Sequence, residues 1–202
     1  MKYPIGIQSF DRLREDGFVY VDKTALVYNL VQTGSIYFLS RPRRFGKSLL
    51  VSTLDAYFRG KKDLFQGLAM ERLEKEWNVY PVLHLDFSMT KYTALSDLLG
   101  QLNLNLYDWE KLYGKEEVEG TPAERFRGVI RRAYEQTGKP VVVLIDEYDA
   151  PLLDSNHLPE LQNELREEMR KFFSPLKAQG EYLRFLFLTG ISKFSQMSIF
   201  SE

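Results

Sequence analysis

The chain has no cysteine and only two histidines, His84 and His157, among its 202 residues. Without cysteine there can be no disulfide framework, thiolate metal site or thiol nucleophile, and the absence is compatible with a reducing compartment. So few histidines argue against a His-rich metal centre and against a Ser-His-Asp hydrolase, although either could serve a local role. Charge of one sign is also lacking: 27 Lys and Arg against 28 Asp and Glu give a net charge of −1. The broad basic footprint of a dedicated nucleic-acid binder is therefore missing, which leaves room only for a local patch. The N-terminal stretch MKYPIGIQSFDRLRED has no continuous apolar core of the signal-peptide kind, and no run approaches a membrane span. The expectation is a cytoplasmic protein with no membrane partner.

What is present is ordinary for a folded domain: 44% hydrophobic and 27% charged residues, enough for one α/β unit with a sizeable core. Four short apolar runs stand out, Ser35 to Ser40, Pro81 to Phe87, Pro140 to Ile145 and Leu183 to Thr189. Nearly continuous apolar runs separated by helical patterns predict a mainly parallel sheet buried on both faces. Helical spacing is legible over Lys47 to Phe58, Thr93 to Tyr113, a segment opened by Thr121 and Pro122 and closed by Gly138, and a long stretch from about Pro159 to Ala178. The aromatic and Leu/Met stripes on these helices read as packing surfaces. Lys115 to Gly120, KEEVEG, reads as a charged loop too short to divide the chain.

The segment Arg41 to Ser48, RPRRFGKS, follows the first strand and opens the first long helix. A turn in that place aims backbone N–H groups at a phosphate chain, and the helix adds its positive end. Gly46 would let the backbone approach, Lys47 would reach the β/γ-phosphates, and the Ser48 hydroxyl would ligate Mg²⁺. Arg43, Arg44, Phe45 and Leu49 complete the candidate nucleotide-binding set. In the pattern G-x-x-x-x-G-K-[S/T], however, the first glycine falls at Arg41. The three arginines, Arg41, Arg43 and Arg44, could stabilise a transferring phosphoryl group, contact a nucleic-acid backbone or pair with acidic residues elsewhere; solvated loop charge is the plainer alternative.

Pro140 to Asp149, PVVVLIDEYD, supplies the complementary half. A buried strand ending in a carboxylate suits Mg²⁺ coordination at Asp146, and the next carboxylate, Glu147, suits polarisation of the attacking water. Asp86, at the end of PVLHLDF, would face the same side as Asp146 and could join the metal's outer shell, but capping the following loop with Ser88 is the simpler role.

RPRRFGKSLL followed by VVVLIDEYD resembles the bacterial AAA-ATPase-like family, within the breadth of AAA+/STAND P-loop ATPases. The resemblance covers essentially the whole chain. It implies a three-layer P-loop NTPase fold with the sheet order strand two, acidic strand, last strand, P-loop strand, and it implies Mg²⁺-dependent ATP binding and hydrolysis with Lys47 and Glu147 as catalytic residues. It also implies that Val21, Asp22 and Lys23 lie near the base, whereas the residues themselves allow a helix start capped by Asp22 or Thr24. Thr189 or Ser192 would be the polar sensor beside the γ-phosphate. Longer members often carry a C-terminal PD-(D/E)XK nuclease-like domain, through which a nucleic acid would become a partner. A fifth strand and a helical lid would follow the present sequence, which on this resemblance is an N-terminal piece, residues 1–202, of a longer protein. The competing readings are a nucleotide-gated switch with negligible turnover and a nucleic-acid-associated regulatory module. The absence of an Asn-Lys-x-Asp guanine motif favours ATP over GTP.

Overall fold

The computed structural model describes residues 2–191. Four strands, β1 (Ile36–Ser40), β2 (Val82–Asp86), β3 (Val141–Asp146) and β4 (Leu183–Gly190), form one sheet in the order β1-β4-β3-β2. Every pairing is parallel, so each connection must cross the sheet, and the helices that do so cover both faces. The six residues of β3 are all buried, which is why this strand reads as an uninterrupted apolar run rather than an alternating one.

Two cores result. On one face Val142, Leu144, Phe185 and Phe187 meet α1 (Phe10–Glu15), α2 (Thr24–Thr33), α3 (Lys47–Phe58) and α4 (Ala69–Leu73). On the other, Val141, Val143, Ile145, Leu186 and Leu188 meet α5 (Leu95–Tyr113), α6 (Pro122–Thr137), α7 (Ala150–Asp154), α8 (Pro159–Phe173) and α9 (Pro175–Ala178). The alternation of adjacent residues between the two cores is the period of two of a strand.

Local chemistry sets the helix limits. Thr121 and Glu124 form a reciprocal capping box on α6, and Gly138 ends that helix at φ +63°. Asp97 closes the start of α5 by accepting from the N–H groups of Thr93 and Ala94 at 2.8 and 2.9 Å. The helix expected from about Pro159 to Ala178 is instead two, α8 and α9, separated at Ser174. Pro175 lacks the N–H needed to continue the ladder, so it starts a new turn rather than extending the old one. No helix among the described residues is long and apolar enough to cross a membrane.

Candidate functional site

Parallel pairing places the C-terminal ends of all four strands on one edge, with Ser40 opposite Gly190 and Asp86 opposite Asp146. Ligands of open α/β sheets bind at such an edge. The end of β4 ties its two neighbours together: the N–H of Arg41 donates to the Gly190 carbonyl at 3.1 Å, and that of Tyr148 to the Thr189 carbonyl at 3.0 Å. Glycine is required at position 190 for space, since a Cβ there would lie 2.6 Å from the Tyr148 ring.

The loop between β1 and α3 contains two left-handed residues, Arg44 at φ +66° and Gly46 at φ +74°. At Gly46 a Cβ would meet nothing within 4 Å, so conformation rather than room calls for glycine. Successive N–H groups in turns of this kind form an anion-binding concavity, which the N-terminus of α3 extends. Lys47, the first residue of α3, is only 4% exposed. Its Nζ donates across the loop to the Pro42 carbonyl at 3.2 Å, holding a cation inside the turn.

Opposite the loop, Asp146 is buried at the end of β3. Its Oδ1 accepts from the Thr189 hydroxyl and from the Glu147 N–H. Both bonds fall on one oxygen, which leaves Oδ2 as the oxygen available to a metal or its water. The Glu147 N–H also reaches Thr189 Oγ1 at 3.1 Å, so a single threonine aligns both carboxylate residues. Glu147 is half-buried at φ +48°, a conformation that costs a non-glycine residue about 1–2 kcal/mol. Burial, then the neighbouring Asp146 charge, push its carboxyl above the ordinary glutamate value; Lys47 opposes them, Asp86 adds to them, and Arg43 opposes them again. The result is a carboxylate more basic than usual, as a proton acceptor needs to be.

Two cavities flank the loop. One of about 420 Å³ is mainly apolar, with Tyr20, Val21, Val27, Leu39, Phe45 and Leu49 among its walls and Arg41 and Lys23 also lining it. The other, of about 570 Å³, is lined by Arg44, Lys47, Ser48 and Glu147 together with Ile5 to Gln8. Gly46 and Leu49 border both. The loop thus borders a mainly apolar cavity and a second, more polar one that holds cations, a hydroxyl and a carboxylate.

Most expected site residues converge here, with qualifications. Lys47, Ser48, Arg44 and Glu147 share the polar cavity, while Phe45 lies on the apolar side. Arg43 lines neither cavity, and its charge is felt at Glu147. Asp22, expected near the base, is occupied otherwise: it accepts from the N–H and hydroxyl of Thr24 and from the N–H of Ala69, at 2.8, 2.7 and 2.7 Å. Burial works against its ionisation, but the Thr24 and Ala69 bonds prevail and hold its carboxyl below the ordinary range. Its neighbours Val21 and Lys23, not Asp22, line the apolar cavity. Thr189 is fully buried against the two carboxylate residues, behind the polar cavity rather than on its wall. Ser192 lies outside the described residues. Asp86 caps the turn that follows it, accepting from Ser88 N–H at 2.8 Å. Sequence reasoning missed the segment Ile5 to Gln8, which carries no motif.

Residues 4–200 match a family model described as predicted AAA-ATPase, and the chain belongs to that family. It is also 41% identical over 201 residues to an uncharacterized protein in the vnfD 5' region of Azotobacter chroococcum mcd 1. That match takes in 99% of this chain and 39% of the relative, so the chain spans well under half the relative's length. No solved structure matches the chain.

Proposed function

We propose, from membership of the predicted AAA-ATPase family, that this chain binds ATP with Mg²⁺ at the C-terminal edge of its sheet and hydrolyses it. The observation that carries the reading is the polar cavity in which Lys47, Ser48 and Glu147 meet, with Asp146 fixed beside Glu147 by a shared threonine. The donor set suits the ligand: a buried ammonium and helix-start N–H groups for phosphate, and a hydroxyl and a carboxylate oxygen for a hard cation. Magnesium, when bound, offsets charge on the phosphate oxygens.

In this reading the loop amides and Lys47 hold the phosphates, and Ser48 and Asp146 hold the metal. Glu147 accepts a proton from water as the water oxygen bonds to the γ-phosphorus and the bridging oxygen leaves with ADP. The apolar cavity, with Tyr20, Val21 and Phe45 on its walls, receives the base.

Substitution separates hydrolysis from binding alone. Glu147→Gln is expected to retain ATP affinity and lower phosphate release by at least ~100-fold, whereas Lys47→Ala is expected to remove both. Unchanged phosphate release in the glutamine variant would show that Glu147 is not the base. Wild-type binding without any release above that variant would favour the switch reading.

A further inference from the structure

The loop sorts its side chains. Arg41 and Phe45 border the apolar cavity, whereas Arg44 lies with Lys47, Ser48 and Glu147 on the polar one. Arg44 does so at φ +66°, a left-handed position that glycine fills without strain and that a side chain with a Cβ fills only at a cost. Its side chain does not compensate by packing, since the residue is exposed. Nor does its guanidinium form a hydrogen bond or ion pair among the described residues, although Glu147 shares its cavity. Arg44 is thus a left-handed non-glycine residue with no side-chain partner among the described residues, on the wall of the phosphate-side cavity, and backbone outliers of this kind concentrate at functional sites.

We infer that Arg44 is a specificity-determining residue that reads the terminal phosphate of the bound nucleotide from within the same chain. The inference rests on the proposed ATP site and adds a role that the Gly-Lys-Ser pattern leaves open, because the pattern accepts any residue at this position. The chemistry is that of a planar guanidinium against a phosphate: it stays charged, and it pairs with two oxygens where Lys47 offers a point charge. Lys47 is already drawn back to the Pro42 carbonyl, so a second cation on the same cavity adds selectivity for the more highly charged nucleotide. ATP should therefore be preferred over ADP by more than loop amides alone would give.

The test compares ATP and ADP affinities, with Mg²⁺, for the unsubstituted protein, Arg44→Gly and Arg44→Ala, alongside their melting temperatures. Both variants are expected to lose about tenfold or more of the ATP-over-ADP preference, mainly through weaker ATP binding. Because glycine relieves the left-handed strain and alanine does not, Arg44→Gly should melt above Arg44→Ala, showing that lost preference is not lost folding. An unchanged preference in both variants, or an equal loss for ATP and ADP, would overturn the assignment while leaving the ATP site standing. Failure of the unsubstituted protein to bind either nucleotide would instead refute the proposed function, and this inference with it.

Discussion

At the scale of single residues, Glu147 combines three features that have one origin, the abrupt turn at the end of β3. Its φ of +48° swings the residue out of the strand, its burial is partial, and Asp146 sits immediately before it. Burial and the Asp146 charge raise its carboxyl, and this has a definite sign in two experiments. In the proposed hydrolysis Glu147 acts in its ionised form, so activity should fall as pH drops through a value above that of an ordinary glutamate, and the acidic limb should vanish with the residual activity of Glu147→Gln. For stability, the folded state binds this proton more readily than the unfolded chain does. Stability is thus lost as pH rises from the ordinary glutamate range through the raised folded value. Glu147→Gln removes that loss: the variant should melt higher than wild type at neutral pH, with the gap closing at acid pH. A lower melting temperature at neutral pH would mean that the carboxylate is held by favourable partners instead. Asp22 is the contrasting case, since its three hydrogen bonds join the start of α2 to the start of α4. Asp22→Ala should cost about 1–2 kcal/mol of stability in denaturant titration, with nucleotide affinity changed far less than by Lys47→Ala.

At the scale of elements, α6 shows how one small residue can determine a helix surface. A Cβ at Gly128 would lie 1.6 Å from Glu119 Oε1, in the space where Glu119 pairs with Arg132 at 2.6 Å. Both side chains are at most 10% exposed, so displacing one leaves a desolvated charge behind. Gly128→Ala, ordinarily a helix-favouring change, should therefore destabilise the protein by about 1 kcal/mol as the Glu119 and Arg132 side-chain ends are pushed from their present pairing, which urea unfolding would register. The same local logic explains what could be read from the residues beforehand. The four strands were legible because burial on both faces removes polar residues from them, and α6 because its cap residues are explicit. Helices α1, α4 and α7 span only five or six residues each, too few for a 3.6-residue period to emerge. The approach of Ile5 to Gln8 to the polar cavity has no local signature at all. It follows from tertiary anchoring: Phe10 is fully buried against Tyr20 and Phe65, and its N–H donates to Ser52 Oγ of α3 at 2.8 Å. Asp22 was ambiguous for a different reason, since an aspartate before a helix serves as a cap or a ligand with the same letters, and its bond to Ala69 depends on a segment far along the chain.

At the scale of the whole molecule, the loop lysine and the acidic strand end are far apart in sequence and are joined by β4, the last strand in chain order among the described residues. Lys47 belongs to the helix covering one face, Asp146 to the strand at the centre, and Thr189 and Gly190 lie between them in the sheet. Ligand binding at such a junction stabilises the fold as a unit, by about 2.7 kcal/mol when ligand is present at a hundred times its dissociation constant. A melting transition that moves upward as one with Mg²⁺-ATP is therefore expected for the domain. The central claim, that these separated segments make one Mg²⁺-ATP site, is tested most directly by calorimetric titration of ATP with and without Mg²⁺ into wild-type protein and Lys47→Ala. Wild type is expected to bind saturably, more tightly with Mg²⁺, and binding is expected to be abolished in the alanine variant. Binding of equal strength in the two proteins, or no saturable binding by wild type, would contradict that claim.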